Sequence, residues 1–257
     1  MKPFKIALTP ILSAVILLTA CGEDNLLTGA SNDIKIMTVS SVRDVLRDIV
    51  LSYKKKNTHS RIQMIVRPTG SIVEEIASDQ SGSHVAILIN GEQLNRLASA
   101  NKLINLEKFG QNTFVLVGNA QAKSEIEGPS GIPALLANTH IAMNDPNTNA
   151  SARYAMDMLR YYNVYDNVKD RVRLYASMMD TLQAVEVGLT NYGIIFITSA
   201  LSSSAVKIIY NFPQESYTPV LYSVGAVSYN FTRSVQKFLD YIKSKPSQDT
   251  LTAYGFL

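Results

Sequence analysis

Hydroxyl side chains stand at four places where an apolar stretch of this sequence gives way to a segment with helical periodicity. They are Ser41, Thr69, Ser151 and Ser177. The first turn of a helix has backbone N–H groups without an intrahelical partner, and the helix dipole makes that end partly positive. Such turns bind anions. Several of them converging on one crevice predict an anion site that needs neither lysine nor arginine.

Each of these residues also has a purely structural explanation, since serine and threonine cap helices in most α/β proteins. Capping-box spacing places an acidic residue three positions after the hydroxyl residue. It occurs in Ser41 with Asp44, in Ser71 with Glu74 and in Ser177 with Asp180. Ser151 is expected to cap the helix that follows the third strand.

The elements that must position these residues alternate along the chain. Apolar runs typical of strands cover residues 34–39, 61–66, 140–143, 172–175 and 193–198, and the segments after the first four have apolar residues at helical spacing. This alternation predicts an α/β fold built from βαβ units around mostly parallel sheets. In open α/β sheets ligands bind beyond the carboxyl ends of the strands, where the four helices would begin.

Residues 1–20 have the pattern of a lipoprotein signal peptide. Two lysines precede an apolar stretch at residues 6–18, and small residues then lead to Cys21. The stretch is shorter than the roughly 20 apolar residues that a spanning helix needs. Lipid on Cys21 would therefore be the only membrane anchor. The polar residues 21–32 are expected to form a lipidated tether.

The remaining body of about 225 residues is long enough for two α/β lobes or one large domain. The net charge of the whole chain is +3, and the sequence has no long basic run, so nucleic acid is not expected as a partner. Cys21 is the only cysteine, which excludes an internal disulfide and a thiolate zinc site. The sequence has no G-x-S-x-G, H-E-x-x-H or P-loop motif. It predicts no enzyme activity, no cofactor and no directly coordinated metal.

From residue 34 to residue 257 the sequence resembles the periplasmic molybdate-binding proteins of ABC importers, the ModA family. The resemblance is carried by segments that follow the family's order, rather than by one motif. They are IKIMTVSS at 34–41, TGS at 69–71, NDP at 144–146, GIIF at 193–196, NFPQES at 211–216, FLDY at 238–241 and YGF at 254–256. The chain is identified as a divergent member.

The resemblance implies a two-lobed periplasmic binding protein fold of type II, with mixed, mostly parallel sheets flanked by helices. One lobe would be discontinuous and comprise residues 33–112 and 226–257, and the other would comprise residues 113–225. Two crossover strands, near residues 113–117 and 222–227, would form the hinge. The protein is expected to be a monomer.

The resemblance also implies which groups bind the ligand. The family binds its dianion through uncharged donors, which correspond here to the hydroxyl and amide of Ser41 and of Thr69, and to the amides of Ser151 and Met178. At the fifth position the family has a tyrosine hydroxyl, and this chain has Phe196. A phenyl ring cannot donate a hydrogen bond. The loss of one charge-assisted bond weakens binding roughly 10- to 150-fold.

The expected function is capture of a tetrahedral oxyanion, molybdate or tungstate, and its delivery to an ABC permease by a lipid-anchored protein facing the periplasm or the cell surface. Two alternatives remain open. The ligand could be sulfate, phosphate or another small anion, because the two carboxylates of the family segment at residues 83–90 are replaced and Arg67 lies next to the Pro68 turn. The protein could instead sense a ligand or bind another protein without transport.

Overall fold

The computed structural model describes residues 32–122, 126–147 and 150–257, with residues 150 and 151 described by their backbone only. The predicted signal peptide, Cys21 and the tether up to residue 31 lie outside these residues. Within the described part of the chain, no helix combines the length and the apolar character that a membrane span requires.

The described strands form two sheets. They are β1 (Asp33–Thr38), β2 (Arg61–Val66), β3 (Val85–Ile89), β4 (Leu103–Asn112), β5 (Phe114–Gly118), β6 (Ile141–Asn144), β7 (Val172–Tyr175), β8 (Tyr192–Phe196), β9 (Lys207–Asn211) and β10 (Val220–Val227). The described α-helices are α1 (Arg43–Lys56), α2 (Thr69–Ala77), α3 (Glu92–Ser99), α4 (Ile132–Leu135), α5 (Ala150–Tyr161), α6 (Tyr165–Val168), α7 (Met178–Glu186), α8 (Ile197–Leu201), α9 (Arg233–Ile242) and α10 (Lys245–Ala253).

Both sheets have five strands and a mixed topology. The first has the order β2-β1-β3-β10-β4, in which β1 is parallel to β2 and β3, and β10 is antiparallel to β3 and β4. The second has the order β7-β6-β8-β5-β9, in which β6 is parallel to β7 and β8, and β5 is antiparallel to β8 and β9. The predicted mixed sheets flanked by helices are present.

The burial of the strands explains their composition. All residues of β5 and β8 are buried, and both strands are continuous apolar runs, as expected for strands covered on both faces. Strand β2 lies at an edge, and its residues Arg61 and Gln63 are exposed. Helix α1 buries Val45, Leu46 and Ile49 on one face, which confirms the helical periodicity in this segment.

The chain crosses between the sheets twice. One residue, Thr113, separates β4 in the first sheet from β5 in the second, and residues 212–219 lead back from β9 to β10. Strand β10 is hydrogen-bonded entirely within the first sheet, whereas the predicted lobe boundary falls after residue 225. The division into lobes at residues 33–112, 226–257 and 113–225 stays a prediction.

The C-terminal residues close the first sheet near this crossing. Gly255 has a φ of +84° after helix α10, and a side chain there would come within 2.8 Å of Leu201 in α8. Phe256 then packs edge-on against Tyr222, with ring centroids 5.8 Å apart. Leu257 exchanges two backbone hydrogen bonds with Gln111 of β4. The chain end is thereby held beside the hinge strands.

Candidate functional site

In each sheet, two helical segments begin just after parallel strands whose ends lie level with each other. In the first sheet Thr38 of β1 is level with Val66 of β2, and in the second sheet Asn144 of β6 is level with Tyr175 of β7. The segments that follow contain Ser41, Thr69, Ser151 and Met178. The β1–α1 and β2–α2 junctions therefore share one edge, and the β6–α5 and β7–α7 junctions share another.

Ser41 lies in a 3₁₀ turn, Ser40–Val42, that precedes α1, and the residue at the N-cap of α1 is Val42. The predicted capping box of Ser41 with Asp44 is wrong. The 3₁₀ turn places Ser41 inside the first turn, and its Oγ accepts a hydrogen bond from the Tyr222 hydroxyl at 2.9 Å. The side chain of Ser41 is thus held by a residue from the hinge strand β10.

The second junction also differs from its predicted capping. Helix α2 begins at Thr69 with Pro68 at its N-cap, three residues earlier than the Ser71–Glu74 box requires, and that box is wrong. Pro68 has no N–H and its φ is −60°, which suits the residue that enters a helix. Thr69 is the first helical residue, and its amide has no intrahelical acceptor.

Ser177 caps α7, as predicted. Its Oγ accepts from the Asp180 amide at 3.1 Å and donates to the Asp180 carboxylate at 2.7 Å. The amides of Met178 and Met179 precede this bond and have no intrahelical acceptor. The other amide that is predicted to bind the ligand from this half is that of Ser151. It lies in α5, which begins one residue earlier, at Ala150.

A small cavity of about 40 Å³ lies between the two sheets. About 10 to 15 Å³ holds one water molecule, so the space admits a solute of a few heavy atoms. Its lining comes from both halves of the molecule and from the C-terminal residues. The lining residues are Ser40, Ser41, Asp44, Val45, Met178, Met179, Thr198, Ser199, Ser202, Tyr254 and Phe256.

The cavity brings together two of the predicted ligand residues, Ser41 and Met178. Thr69 is not part of this lining. Phe196 is buried, and its ring packs 4.9 Å from that of Phe114, its partner in the β5–β8 register. The ligand roles of all five residues, Ser41, Thr69, Ser151, Met178 and Phe196, stay predictions.

Uncharged groups dominate the electrostatics of the cavity. Its lining, as far as the structure describes it, has no lysine, arginine or histidine and has one carboxylate, Asp44. Asp44 forms ion pairs with Arg43 at 3.1 Å and with Arg47 at 3.2 Å, which offset its charge. The Tyr254 hydroxyl is directed to Asp48 at 2.6 Å, and this hydrogen bond raises the pKa of Tyr254.

Three polar residues near the cavity were missed by the sequence reasoning. Tyr222 and Asn112 are fully buried and Thr198 is 7% exposed. Asn112 donates from Nδ2 to Thr198 Oγ1 at 2.9 Å, and the Tyr222 hydroxyl donates to Ser41 Oγ at 2.9 Å. Burial raises the pKa of Tyr222 to about 12. The only sequence signal was the position of these polar groups at the ends of, or within, apolar strands.

The histidines have structural surroundings. His84 accepts a hydrogen bond from the Lys35 amide at 3.1 Å, and burial lowers the pKa of His84. His140 contacts Arg173 at 2.7 Å. Over the described ranges, no group of three or more His, Cys, Asp and Glu residues is arranged to hold a metal ion.

The family model of the bacterial extracellular solute-binding proteins matches residues 34–257. The chain belongs to this family. Since the match covers both sheets and the cavity between them, the class of protein is a solute-binding protein.

Two relatives are similar over most of their length. The molybdate-binding protein ModA of Haemophilus influenzae is 25% identical over 236 residues, which are 88% of this chain and 91% of that protein. The protein YvgL of Bacillus subtilis, provisionally named an ABC transporter substrate-binding lipoprotein, is 23% identical over 250 residues, 95% of both chains.

The fold is that of the periplasmic molybdate-binding protein of Azotobacter vinelandii. The TM-score is 0.72 at 14% identity, and the match covers 87% of this chain and 98% of that chain. The predicted fold class, a two-lobed periplasmic binding protein fold of type II, is confirmed.

Proposed function

We propose that this protein binds a tetrahedral oxyanion, molybdate or tungstate, in the cavity between the two sheets and delivers it to the permease of an ABC importer. The observation that supports this most directly is the meeting of Ser41 and Met178, from opposite halves, in one small cavity with uncharged donors. The name of the ModA relative from Haemophilus influenzae gives the class of ligand.

The proposed ligand set is that of the sequence analysis. Ser41 contributes a hydroxyl and an amide from the first half and Met178 an amide from the second, both from the cavity lining. Thr69, which lies outside that lining, and Ser151 are retained as predicted ligands. Phe196 takes the place of a fifth donor without replacing its hydrogen bond. An anion held by both halves has contacts that exist only when the halves meet, so binding favours the closed form. The closed form then presents the bound anion to the permease.

The proposed location is the outer face of a membrane, with Cys21 as the lipid anchor and a monomeric binding body. The name of YvgL, a lipoprotein, supports this arrangement. Labelling of growing cells with a radioactive fatty acid tests it. We expect label in the wild-type protein and none in Cys21→Ser, and a labelled Cys21→Ser protein would contradict the anchor.

The experiment that tests the ligand is a thermal-shift titration of the purified protein with molybdate, tungstate, sulfate, phosphate and chromate. Sodium chloride at equal ionic strength is the control. A ligand at about 100 times its dissociation constant stabilises the fold by about 2.7 kcal/mol. We expect the largest shift with molybdate or tungstate. A flat response to all five anions would overturn the proposal.

A second candidate function is binding of another small anion, or ligand sensing without transport. The carboxylate of Asp44 in the cavity lining and the buried ring of Phe196 favour it. If sulfate or phosphate is the strongest stabiliser in the same titration, the result would support binding of another small anion. A histidine-kinase gene beside this gene would support sensing, whereas adjacent permease and ATPase genes would support transport.

A further inference from the structure

Two side-chain hydrogen bonds lie behind the cavity. The Tyr222 hydroxyl donates to Ser41 Oγ, and Asn112 Nδ2 donates to Thr198 Oγ1. The acceptors Ser41 and Thr198 line the cavity, while the donors Tyr222 and Asn112 lie fully buried on strands β10 and β4. Buried polar groups of this kind are held in one arrangement because every alternative leaves a partner unsatisfied.

The direction of each bond follows from its donor. The Oδ1 of Asn112 accepts from the Thr113 amide at 3.0 Å, so Nδ2, which is a donor only, faces Thr198. The Tyr222 hydroxyl gives its hydrogen to Ser41 Oγ, 2.9 Å away. Burial keeps this hydroxyl protonated, since it raises the pKa of Tyr222 to about 12.

The consequence for Ser41 and Thr198 is that each hydroxyl oxygen receives a hydrogen bond from inside the protein. A hydroxyl has one hydrogen, which remains to be donated. In a helix interior serine and threonine often donate to the carbonyl four residues earlier. Four residues before Ser41 and Thr198 the chain is in strands β1 and β8, so this local acceptor is not in place. Both hydrogens are available to the cavity.

Thr198 is close in sequence to Phe196, the position where the resemblance implies a tyrosine hydroxyl and this chain has no hydrogen-bond donor. It follows Phe196 by two residues, where the chain has turned from β8 into α8, and it lines the cavity while the ring of Phe196 packs in the core. A threonine hydroxyl is thus available in the second half, opposite Ser41.

We infer that Thr198 binds the anion directly and that Asn112 and Tyr222 are positioning residues that hold Ser41 and Thr198 as hydrogen-bond donors. This inference rests on the proposed function, since it assigns a further residue to the same site. Because one lone pair of each hydroxyl oxygen is already occupied from inside the protein, these two residues favour a solute whose oxygens all accept. Molybdate satisfies this requirement, whereas hydrogen phosphate also carries a hydrogen that needs an acceptor.

The test is a calorimetric titration of full-length protein with molybdate and with hydrogen phosphate at pH 8. Thr198→Val keeps the shape and removes the hydroxyl, so molybdate affinity should fall roughly 10- to 150-fold, as for a charge-assisted bond. Thr198→Ser restores a hydroxyl and should recover most of that loss. Thr190→Val is the matched control, because Thr190 is a buried threonine outside the cavity lining whose hydroxyl has no partner.

Tyr222→Phe tests the positioning role. Without the tyrosine hydroxyl, Ser41 Oγ is free to accept a hydrogen bond from the ligand. Molybdate affinity should fall roughly 2- to 13-fold, the range of a neutral hydrogen bond, and the preference for molybdate over hydrogen phosphate should fall with it. A purely structural role for Tyr222 would weaken both anions equally.

The outcomes separate this inference from the proposed function. Wild-type protein that binds neither molybdate nor any other tetrahedral oxyanion removes both. Wild-type protein that binds molybdate, together with unchanged affinity in Thr198→Val, overturns the role of Thr198 alone. An unchanged anion preference in Tyr222→Phe overturns the positioning role. Equal losses in Thr198→Val and Thr198→Ser would also count against a hydroxyl contact.

Discussion

The same serine-x-x-aspartate pattern stands after a parallel strand in each half of the molecule, and the two copies behave differently. In the second half Ser177 caps its own helix through the Asp180 amide. In the first half a 3₁₀ turn intervenes, and Ser41 instead receives a hydrogen bond from Tyr222, 181 residues away in sequence. The hydroxyl that has a distant hydrogen-bond donor lies at the cavity, and the hydroxyl without one caps its own helix.

Removal of the Ser41 hydroxyl is expected to have the largest effect, and it tests whether this hydroxyl faces the cavity. In Ser41→Ala we expect molybdate affinity to fall roughly 10- to 150-fold, because the anion loses a charge-assisted donor. The buried Tyr222 hydroxyl also loses its acceptor, at a cost of about 1–3 kcal/mol in the free energy of unfolding. Calorimetry and urea denaturation measure the two effects. Wild-type affinity in this variant would remove Ser41 from the site.

The pH dependence of stability tests the donor that holds Ser41. Burial raises the pKa of Tyr222 from 10.0, the ordinary value of a tyrosine side chain, to about 12 in the folded protein. The contribution of Tyr222 to the free energy of unfolding is complete below pH 10. It is lost as the pH rises from 10 to 12, by about 2–3 kcal/mol in total, because the unfolded chain releases the proton first.

Urea denaturation of wild-type protein and Tyr222→Phe at several pH values between 8 and 11 measures this contribution. Other tyrosines with raised pKa values are common to both proteins, so their effects cancel in the difference. We expect the wild-type protein to lose stability faster than Tyr222→Phe above pH 10. If the free energies of unfolding of the two proteins fall equally with pH, burial does not keep the Tyr222 hydroxyl protonated.

The corresponding change in the second half should affect stability rather than binding. Ser177→Ala removes the helix cap of α7, and we expect a loss of about 1 kcal/mol in the free energy of unfolding, as for other cap residues. The Met178 amide is retained, so molybdate affinity should change much less than in Ser41→Ala. A large loss of affinity in Ser177→Ala would erase the distinction between the two copies.

The aspartates of the two patterns, Asp44 and Asp180, also differ, and a substitution of Asp44 is expected to have the smallest effect. Asp180 accepts from Ser177, whereas Asp44 lines the cavity between two arginines. Asp44→Asn removes a negative charge near the anion, and we expect molybdate binding to tighten by up to about 5-fold, with less effect at high salt. Titrations at two salt concentrations measure it. Weaker or unchanged binding would mean that the charge of Asp44 does not repel the bound anion.

The fold could be predicted because its signals are local. Apolar runs such as residues 193–198, most of which lie in β8, and the helical face of α1 mark strands and helices without knowledge of their partners. The cap at Ser177 was also predictable, since both members of the box lie within one turn. Local signals were sufficient for these elements and for this cap, whereas the equally local Ser71–Glu74 pattern failed because helix α2 already begins at Thr69.

The arrangement of the site could not be predicted because its partners are distant in sequence. Tyr222 and Ser41 are separated by 181 residues, and Asn112 and Thr198 by 86. Burial on a hinge strand turns the hydroxyl of Tyr222 toward Ser41, and no spacing rule describes such a contact. The capping box at Ser41 was wrong for the same reason, since a tertiary partner replaced the local one.

The pairing of Leu257 with Gln111 has a practical consequence for anyone who wishes to label this protein. A fluorophore or fusion partner attached after Leu257 would start within one residue of Phe256, at the rim of the ligand space. Such a reporter would sense occupancy through its surroundings. An affinity handle intended to be silent therefore does not belong directly after Leu257.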